Sequence, residues 1–581
     1  MNAERLLAQY EQIADAPDAI ARLRRFILDL AVRGKLVPQD PSEEPASDLL
    51  KRIAKEKARL VKAGEIRTPK ASEPIRDDEL PIELPKNWVW SRLCDIGKLS
   101  GGMTPSMNRS DFWDGDIVWL SPKDIKAHEV ADSELKISAI GLSETRLELY
   151  RPGCLFIVAR SGILKRTFPV AINRVSAAAN QDMKVLAPFL EGQERYLQIM
   201  FRGLTDFLLR ELVKTGTTVQ SLKYAEFEHQ PFPLPPQAEQ YRIVAQVDEL
   251  MALCDRLEAA RGTREAVRDR LAAASLARLN TPDPETFQDD ARFALGAMPA
   301  LTARADQIKQ LRQTVLNLAV RGKLVPQERT DEPASELLMD ISKTRKKLYL
   351  EKKIPKPKQL PPVEGIELPF AVPSGWAWSR LGDLCYQVSD GPHFSPQYVA
   401  PEQGVPFLST RNVRPNGFDL STIKYVSRAD HEEFCKRIRP EKDDIIYTKG
   451  GTTGLAKVND LDFEFSVWVH LAILRIEKKR LLPRYIEMAL NSPHCYEQSQ
   501  RYTQGISNFD LGLTRMIKIT IPLPPLAEQI RIVAQVDELM ALCDRLEASL
   551  TAASATRRRL LDALLTEALA PDGERELEAA E

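Results

Sequence analysis

The sequence is short of the features that usually betray a chemistry. Its seven cysteines, Cys94, Cys154, Cys254, Cys385, Cys435, Cys495 and Cys543, are scattered, odd in number and never spaced as Cys-x-x-Cys. That argues against a disulfide framework and a cysteine zinc site, and it fits a reducing cytoplasm. No apolar run approaches the roughly 18 residues of a membrane helix. The opening stretch MNAERLLAQYEQIADAP lacks the basic-then-apolar order of a signal peptide. No membrane partner is expected. Net charge is −1, so composition announces no nucleic-acid binding. Any DNA surface must be local, or shared with a partner.

Catalytic motifs are missing too. The histidines His128, His229, His393, His431, His470 and His494 form no HExxH and no paired metal spacing, and each reads as a surface or satisfied core residue. Lys449 to Lys457 (KGGTTGLAK) looks at first like a phosphate loop. It fails the GxxxxGK[ST] spacing because no Lys-Ser/Thr follows the last glycine. A turn between strands is its ordinary meaning, and backbone amides on a DNA phosphate the functional alternative. Asp443-Asp444 is followed by no Glu-x-Lys of a nuclease, and no Asn-Pro-Pro-aromatic motif of a methyltransferase occurs. With no catalytic residue and no metal ligand set, the expectation is a binding protein.

What is there is a repeat. Leu30 to Gln39 (LAVRGKLVPQ) returns unchanged as Leu318 to Gln327, and Arg242 to Ala259 (RIVAQVDELMALCDRLEA) returns unchanged as Arg531 to Ala548. The stretches between are only distantly alike. Hydrophobic content of 43% and charged content of 28% are those of a globular protein, and 581 residues suffice for several domains.

Each repeat has three parts. A helical lead-in covers 1–83, and a second one with its linker covers 284–371. Leu23, Phe26, Ile27 and Leu30 follow helical spacing, and Gly34 stops that helix. A further helix follows Glu44-Pro45-Ala46-Ser47, with proline in its first turn. Proline- and charge-rich linkers, Thr68 to Pro85 and Ile354 to Pro373, close the lead-ins. Mixed domains follow over 84–235 and 372–525, opened by Trp88-Val89-Trp90 and Trp376-Ala377-Trp378. Short strand-like runs broken by Gly and Pro, with helical patterns near 194–213 and 483–500, make these domains α+β.

The third part is a long helix, within 236–283 and again within 526–581. Ile243, Val247, Leu250, Cys254 and Leu257 step 4-3-4-3, as do Ile532, Val536, Leu539, Cys543 and Leu546. That is a coiled-coil seam. A 27-residue helix of this kind would span about 40 Å. The helix could lie buried on its own domain. The narrow stripe favours pairing of the two copies as an antiparallel rod, which makes the frame pseudo-two-fold.

The candidate reading surfaces are loops. Gly101 to Ser106, with Thr104, precedes Ser121-Pro122-Lys123-Asp124 in the first domain. Asp390 to Ser395, with His393, precedes Ser409-Thr410-Arg411-Asn412 in the second. Lys123-Asp124 and Arg411-Asn412 stand at the same repeat position. Arg and Lys favour guanine edges, Asn favours adenine, and Asp accepts from cytosine. Turn capping is the competing meaning. Arg160, Lys449 and Thr452, at Gly turns after apolar strands, are further DNA candidates. The basic run from Lys343 to Lys358 is a solvated helix end or a phosphate contact.

These residues resemble the specificity subunits of type I restriction–modification systems. The resemblance rests on Gly-Lys-Leu-Val-Pro-Gln in both lead-ins and Leu-Pro-Pro-x-Ala-Glu-Gln-x-Arg-Ile-Val after both domains. Asp390-Gly391-Pro392-His393-Phe394, Phe407 to Asn412 and Tyr447 to Gly454 add to it, and it covers nearly the whole chain. It implies two target-recognition domains, each reading half of a bipartite double-stranded DNA site. It implies two modification subunits that carry S-adenosylmethionine and methylate adenine at N6 after flipping the base. It also implies restriction subunits that use ATP and Mg²⁺ for cleavage, with no cofactor on this chain. The first domain departs from the pattern, with Ala159-Arg160-Ser161-Gly162 where the second has Lys449 to Gly454. The rival readings are a stand-alone tandem DNA binder, a catalytic nuclease or methyltransferase subunit, and a coiled-coil scaffold.

Overall fold

The computed structural model describes residues 16, 18–67, 74–76, 79–80, 82–216, 219–281, 283, 285–302, 304–364, 368–505 and 509–569. The start of the first lead-in, much of the linker Thr68 to Pro85, and residues 570–581 lie outside the described residues. The chain forms two compact units. Unit 1 is Met1–Arg264 with Ser554–Glu581, and unit 2 is Glu265–Ala553.

Unit 1 begins with α1 (Ala19–Val32), which buries Leu23, Phe26, Ile27 and Ala31. Gly34 ends it in the left-handed region, φ 67, and the Lys35 amide returns to the Leu30 carbonyl at 3.0 Å. This is the glycine-terminated helix end that satisfies orphan carbonyls. No side chain fits there, since a Cβ would lie 2.4 Å from Cγ of Pro85. Helix α2 (Ala46–Lys62) starts one residue later than expected, with Pro45 as its N-cap. Its first amide, Ala46, donates to the Asn87 carbonyl at 3.0 Å, which ties the helix to the start of the domain.

The first domain is built from β1 (Val89–Arg92), β2 (Gly97–Gly101), β3 (Trp113–Leu120), β4 (Leu155–Val158), β5 (Val170–Asn173), β6 (Ala177–Ala179), β7 (Met183–Pro188) and β8 (Pro231–Leu234). One sheet runs β2-β7-β4-β5 and ends on Glu129–Val130, and β3 lies between Lys136–Ile137 and β6. The first strand closes on the last, β1 on β8, antiparallel. The helical run expected over 194–213 is two helices, α3 (Glu194–Gly203) and Thr205–Glu211. Gly203 lets α3 cross α1 closely, because a Cβ would sit 2.7 Å from the Leu28 carbonyl. The chain leaves through α4 (Gln237–Asn280).

Unit 2 repeats the plan. Its lead-in is α5 (Ala305–Val320) and α6 (Ala334–Leu350). Its domain has β9 (Ala377–Arg380), β10 (Cys385–Asp390), β11 (Gly404–Leu408), β12 (Lys424–Ser427), β13 (Ile445–Thr448), β14 (Ala456–Val458), β15 (Ser466–Val467), β16 (Leu471–Ile476) and β17 (Thr520–Leu523). The sheets are β10-β16-β13-β14 and β12-β11-β15, and β9 closes on β17. The helical pattern over 483–500 again splits, into α7 (Pro483–Leu490) and Pro493–Tyr502. The last helix is α8 (Leu526–Leu569).

Both long helices have 44 residues, well beyond the expected 27. After the identical block each continues in Ala, Arg, Glu and Leu, which are strong helix formers. The lone Gly262 does not stop α4. In unit 1, Leu23, Phe26 and Ile27 of α1 share one core with Ile243, Val247 and Cys254 of α4 and with Leu561 and Leu564 of α8. Leu250 and Leu257 pack at its edge. In unit 2, Ile308, Leu311 and Leu318 of α5 meet Cys543 of α8 and Leu276 and Leu279 of α4, with Leu546 against them. Ile532 and Val536 enter the domain core there, and Leu539 packs on it. In each unit the first half of one long helix meets the last turns of the other, so the pair is antiparallel. The seam has more partners than its spacing named, because the lead-in helix and the domain share it. An ion triad repeats as well. Arg24 meets Asp255 and Glu258 at 2.5 and 2.8 Å, and Arg312 meets Asp544 and Glu547 at 2.7 and 3.0 Å.

A buried carboxylate joins the three parts of each repeat. Trp88 Nε1 donates to Glu239 Oε2 at 2.9 Å, and Gln39 Nε2 donates to Oε1 at 2.6 Å. Trp376 and Gln327 do the same to Glu528 at 3.0 and 2.9 Å. Burial pushes both carboxyls above their usual range, and the two donors offset part of that. Replacing Trp88 or Trp376 by Phe removes a donor from a buried carboxylate. Thermal and denaturant unfolding should show a loss of about 1–3 kcal/mol. Gly34→Ala should destabilise by at least about 1–2 kcal/mol through its left-handed backbone. Gly262→Ala, with open space around its Cα, should stabilise by up to about 1 kcal/mol.

Candidate nucleic-acid interface

The two domains build one scaffold and dress it differently. β3 runs parallel to β6, with Leu120 opposite Ala179, and β11 runs parallel to β15, with Leu408 opposite Val467. In both, the next amide crosses back: Asn180 to the Leu120 carbonyl at 2.8 Å, and Trp468 to the Leu408 carbonyl at 2.9 Å. A glycine turn is pressed against this crossing. A Cβ on Gly102 would lie 2.1 Å from the Asn180 carbonyl oxygen, and one on Gly391 would lie 1.7 Å from that of Val467. Only glycine allows so close a backbone approach.

The residues after these glycines differ. In domain 1, Thr104 is half-buried and its hydroxyl lies 3.4 Å from the Asn180 amide nitrogen. The Met103 carbonyl accepts from Trp119 Nε1 at 3.1 Å, and the side chains of Met103 and Met107 are exposed. In domain 2, His393 is exposed, with Nε2 3.2 Å from Asp390 Oδ2. The next residue, Phe394, is 60% exposed, and Phe509, whose carbonyl accepts from the Gly451 amide, is 51% exposed, unusual values for phenylalanine. The Phe394 carbonyl accepts from Trp468 Nε1 at 3.3 Å.

The paired loop residues divide by role. Asp124 accepts from the Ser121 amide at 2.8 Å, the Ser121 hydroxyl at 2.6 Å and the Glu134 amide at 2.9 Å. Asn412 is buried; it accepts from the Ser409 amide at 2.8 Å and donates to the Asp419 carbonyl at 2.9 Å. Both are capping residues with their hydrogen bonds spent inside the protein. Lys123 and Arg411, one position earlier, are exposed, and among the described residues neither side chain has a hydrogen-bond or ion-pair partner. The first member of each pair therefore faces outward, and the second holds the turn that presents it.

Lys449 needs a correction as a direct DNA contact. Its side chain is 5% exposed, with Nζ 3.2 Å from Asp390 Oδ2 and 3.3 Å from Asp510 Oδ1. Asp390, equally buried, also receives Arg437 at 2.6 Å. One buried carboxylate thus gathers a lysine, an arginine and His393 beneath the loops. Asp390 was visible in sequence as part of a turn, but nothing signalled that Arg437 would meet it or that Asp510 would share Lys449 with it. Arg160 is not the counterpart of Lys449. β4 and β13 are related by 290 positions, which sets Ala159 where Lys449 stands and Arg160 where Gly450 stands. Accordingly the amides of Ala159 and Arg160 both donate to the Asp182 carbonyl, and those of Lys449 and Gly450 both donate to His470. The Arg160 guanidinium is 64% exposed and 3.9 Å from Asp182, a weak surface pair.

The Gly-rich turn after β13 is braced from within. The amides of Gly450, Gly451 and Gly454 donate to His470, Phe509 and Thr448 carbonyls, so none of the three is left for a phosphate. Thr453 is held by Gln500 at 3.1 Å, while Thr452 stays exposed. In the basic second lead-in, Arg345 is likewise committed, to the Asp383 carbonyl at 3.2 Å. Among the described residues, no group of three or more His, Cys, Asp or Glu side chains is placed to hold a metal ion, and no helix is long and apolar enough to cross a membrane.

These placements separate holding from reading. Asp390→Ala leaves the Lys449 ammonium buried with Asp510 alone, and unfolding should show domain 2 destabilised by about 3–5 kcal/mol. Arg411→Ala should shift stability by no more than about 0.5 kcal/mol.

The type I restriction modification DNA specificity domain matches this chain twice, over residues 85–264 and 373–553. The EcoAI specificity subunit of Escherichia coli is 31% identical over 563 residues, which is 95% of this chain and 94% of that protein. The EcoEI specificity subunit of Escherichia coli is 31% identical over 569 residues, 95% of this chain and 94% of its own. A solved HsdS subunit from Thermoanaerobacter tengcongensis aligns over 84% of this chain and 98% of its own, at 20% identity and a TM-score of 0.42. The two matched segments coincide with the two domains and the start of each long helix, and the chain belongs to the family of type I restriction–modification specificity subunits, with two tandem target-recognition domains.

Proposed function

We propose that each target-recognition domain reads one half of a bipartite duplex site and that the chain does no chemistry itself. One observation carries the reading: two unlike sets of outward residues stand on two copies of one scaffold. Thr104, Lys123 and Arg160 are the candidates in domain 1, and His393, Arg411 and Thr452 those in domain 2. Asp124, Asn412 and Lys449 act behind them as positioning residues. Repeated frames with unlike inserts suit a target made of two unlike words at a set separation.

The antiparallel helix pair offers equivalent surfaces from its two copies, which suits two identical modification subunits. Those subunits would carry S-adenosylmethionine and methylate adenine at N6. Restriction subunits, using ATP and Mg²⁺, would add cleavage, and the whole would work in the cytoplasm. The near-zero net charge fits such sharing, since partners can supply much of the cationic clamp on DNA.

A base-resolution methylome of cells expressing this chain with its modification subunit should show a two-part motif with an unread gap. A continuous motif would overturn the proposal. Exchanging residues 372–525 for another such domain should change one half-site only. Arg411→Ala should relax discrimination at one position, costing about 1–3 kcal/mol there; a uniform loss across sequences would make it a phosphate contact. Tight site-specific binding by the purified chain alone would favour a stand-alone binder. Cleavage or methylation by that chain alone would make it the catalyst.

A further inference from the structure

Unit 1 contains a cleft of about 1090 Å³ that none of the loop candidates explains. It lies between α1, the segment Arg202 to Arg210, and the residues that directly follow Lys123 and Arg160 in their loops. Six arginines and one lysine line it against two aspartates, Asp29 and Asp206. Part of this charge is answered within the protein. Arg33 pairs with Asp29 at 2.9 Å, Arg210 with Glu211 at 2.6 Å, and Arg22 with Asp562. The side chains of Arg25, Lys126 and Arg166 have no hydrogen-bond or ion-pair partner among the described residues, and all three are exposed. Arg202 is crowded by Arg195, and its pKa is lowered, first by burial and then by that like charge.

Unit 2 has the same frame with less charge, and it keeps Arg321 at the position of Arg33, stacked over the Phe370 ring at 4.4 Å. At the positions of Arg22 and Arg25 on α1 it carries Gln310 and Gln313 on α5. At the position of Arg202 it carries Asn491, whose amide is spent on both backbone groups of Ala456. At the position of Lys126 it carries Arg414, paired with Asp419 at 3.6 Å. Arg22, Arg25 and Arg202 are therefore no requirement of the scaffold, since unit 2 builds the same elements with Gln310, Gln313 and Asn491 in their places.

We infer that this cleft is a second DNA contact, which grips the sugar–phosphate backbone beside the half-site read by domain 1. The inference rests on the DNA-recognition reading above. Unpartnered cations lining one cleft fit a polyanion, and Arg and Lys are the side chains that serve backbone oxygens. Lys126 and Arg166 follow Lys123 and Arg160 closely along the chain and line the cleft with Arg25, so a strand engaged by those loops has these cations next in the same segments. Unit 2 offers no such extension, so the grip is one-sided.

The test uses the full chain and a duplex bearing the motif its own methylome defines. Affinity is measured over a salt series for the native chain and for the triple variant R25Q/K126Q/R166Q. Each lost phosphate contact lowers the slope of log affinity against log salt by roughly 0.9. The expected result is a slope reduced by roughly 2 to 3, an unchanged methylated motif and an unchanged thermal midpoint. R25K/K126R/R166K should keep the native slope. Trimming the flank beside the domain 1 half-site should weaken the native chain and leave the triple variant unaffected. An unchanged slope in the triple variant overturns the inference while leaving recognition intact. Tighter binding by that variant also overturns it, since the cleft would then hold an acidic protein segment. A native chain with no site-specific, salt-dependent binding would instead sink the underlying reading.

Discussion

The structure turns on a carboxylate kept out of water. Glu239 and Glu528 open the two long helices, and each is 1% exposed. A buried carboxylate is tolerated only when its oxygens are satisfied. The donors are the indole that opens the domain and the glutamine that ends the lead-in block. This single constraint fastens lead-in, domain and helix at one point. Around it the same logic repeats: Arg242 reaches Glu43 and Arg531 reaches Asp331, each at 2.7 Å, across the same junction. Tyr196 and Tyr485 donate to the Pro233 and Pro522 carbonyls of the closing strands. A junction so fully specified frees the outward loop residues to vary, because Lys123 and Arg411 take no part in holding it.

Within the loops a second layer separates support from contact. Domain 2 gathers its charge on Asp390 below the surface, where the low-dielectric surroundings strengthen each pairing. Domain 1 has Ala159 in the place of Lys449 and supports its turn through backbone hydrogen bonds to Asp182. The outward faces then differ in kind, with methionines and Lys123 on one and Phe394, His393 and Arg411 on the other. Charge is distributed just as unevenly beside them. The basic cleft of unit 1 has equivalent positions in unit 2 where glutamine, asparagine and a paired arginine stand instead, so the duplication preserved geometry and let electrostatics diverge.

Much of this was legible in the chain. Identical blocks announced the duplication, helical spacing and Gly34 announced α1, and the 4-3 stripe announced the long helices. Those signals are local, and local physics produced them: periodic burial, the left-handed freedom of glycine, and helix propensity. The stripe named a face but could not name its partners, which is why the share of α1 and α5 in the seam stayed hidden. The length of α4 was underestimated for a related reason, since Gly262 costs too little to end a helix held by packing.

The loop chemistry needed the fold. Lys123, Asp124, Arg411 and Asn412 were found by alignment of the repeats, yet sequence could not say which member of each pair points outward. That depends on which side chain meets a free backbone amide three residues away in space as well as in number. Arg160 and Lys449 were both candidates, yet they are not equivalent, because the offset between strands shifts from 288 to 290 inside the domain. Arg437 and Lys449 meet Asp390, and Asp510 meets Lys449, only after distant segments converge. What the sequence determined alone was the frame, because a frame repeats and repetition is visible. What only the tertiary structure decided was which charges are buried in ion pairs and which stand free, because burial depends on distant partners.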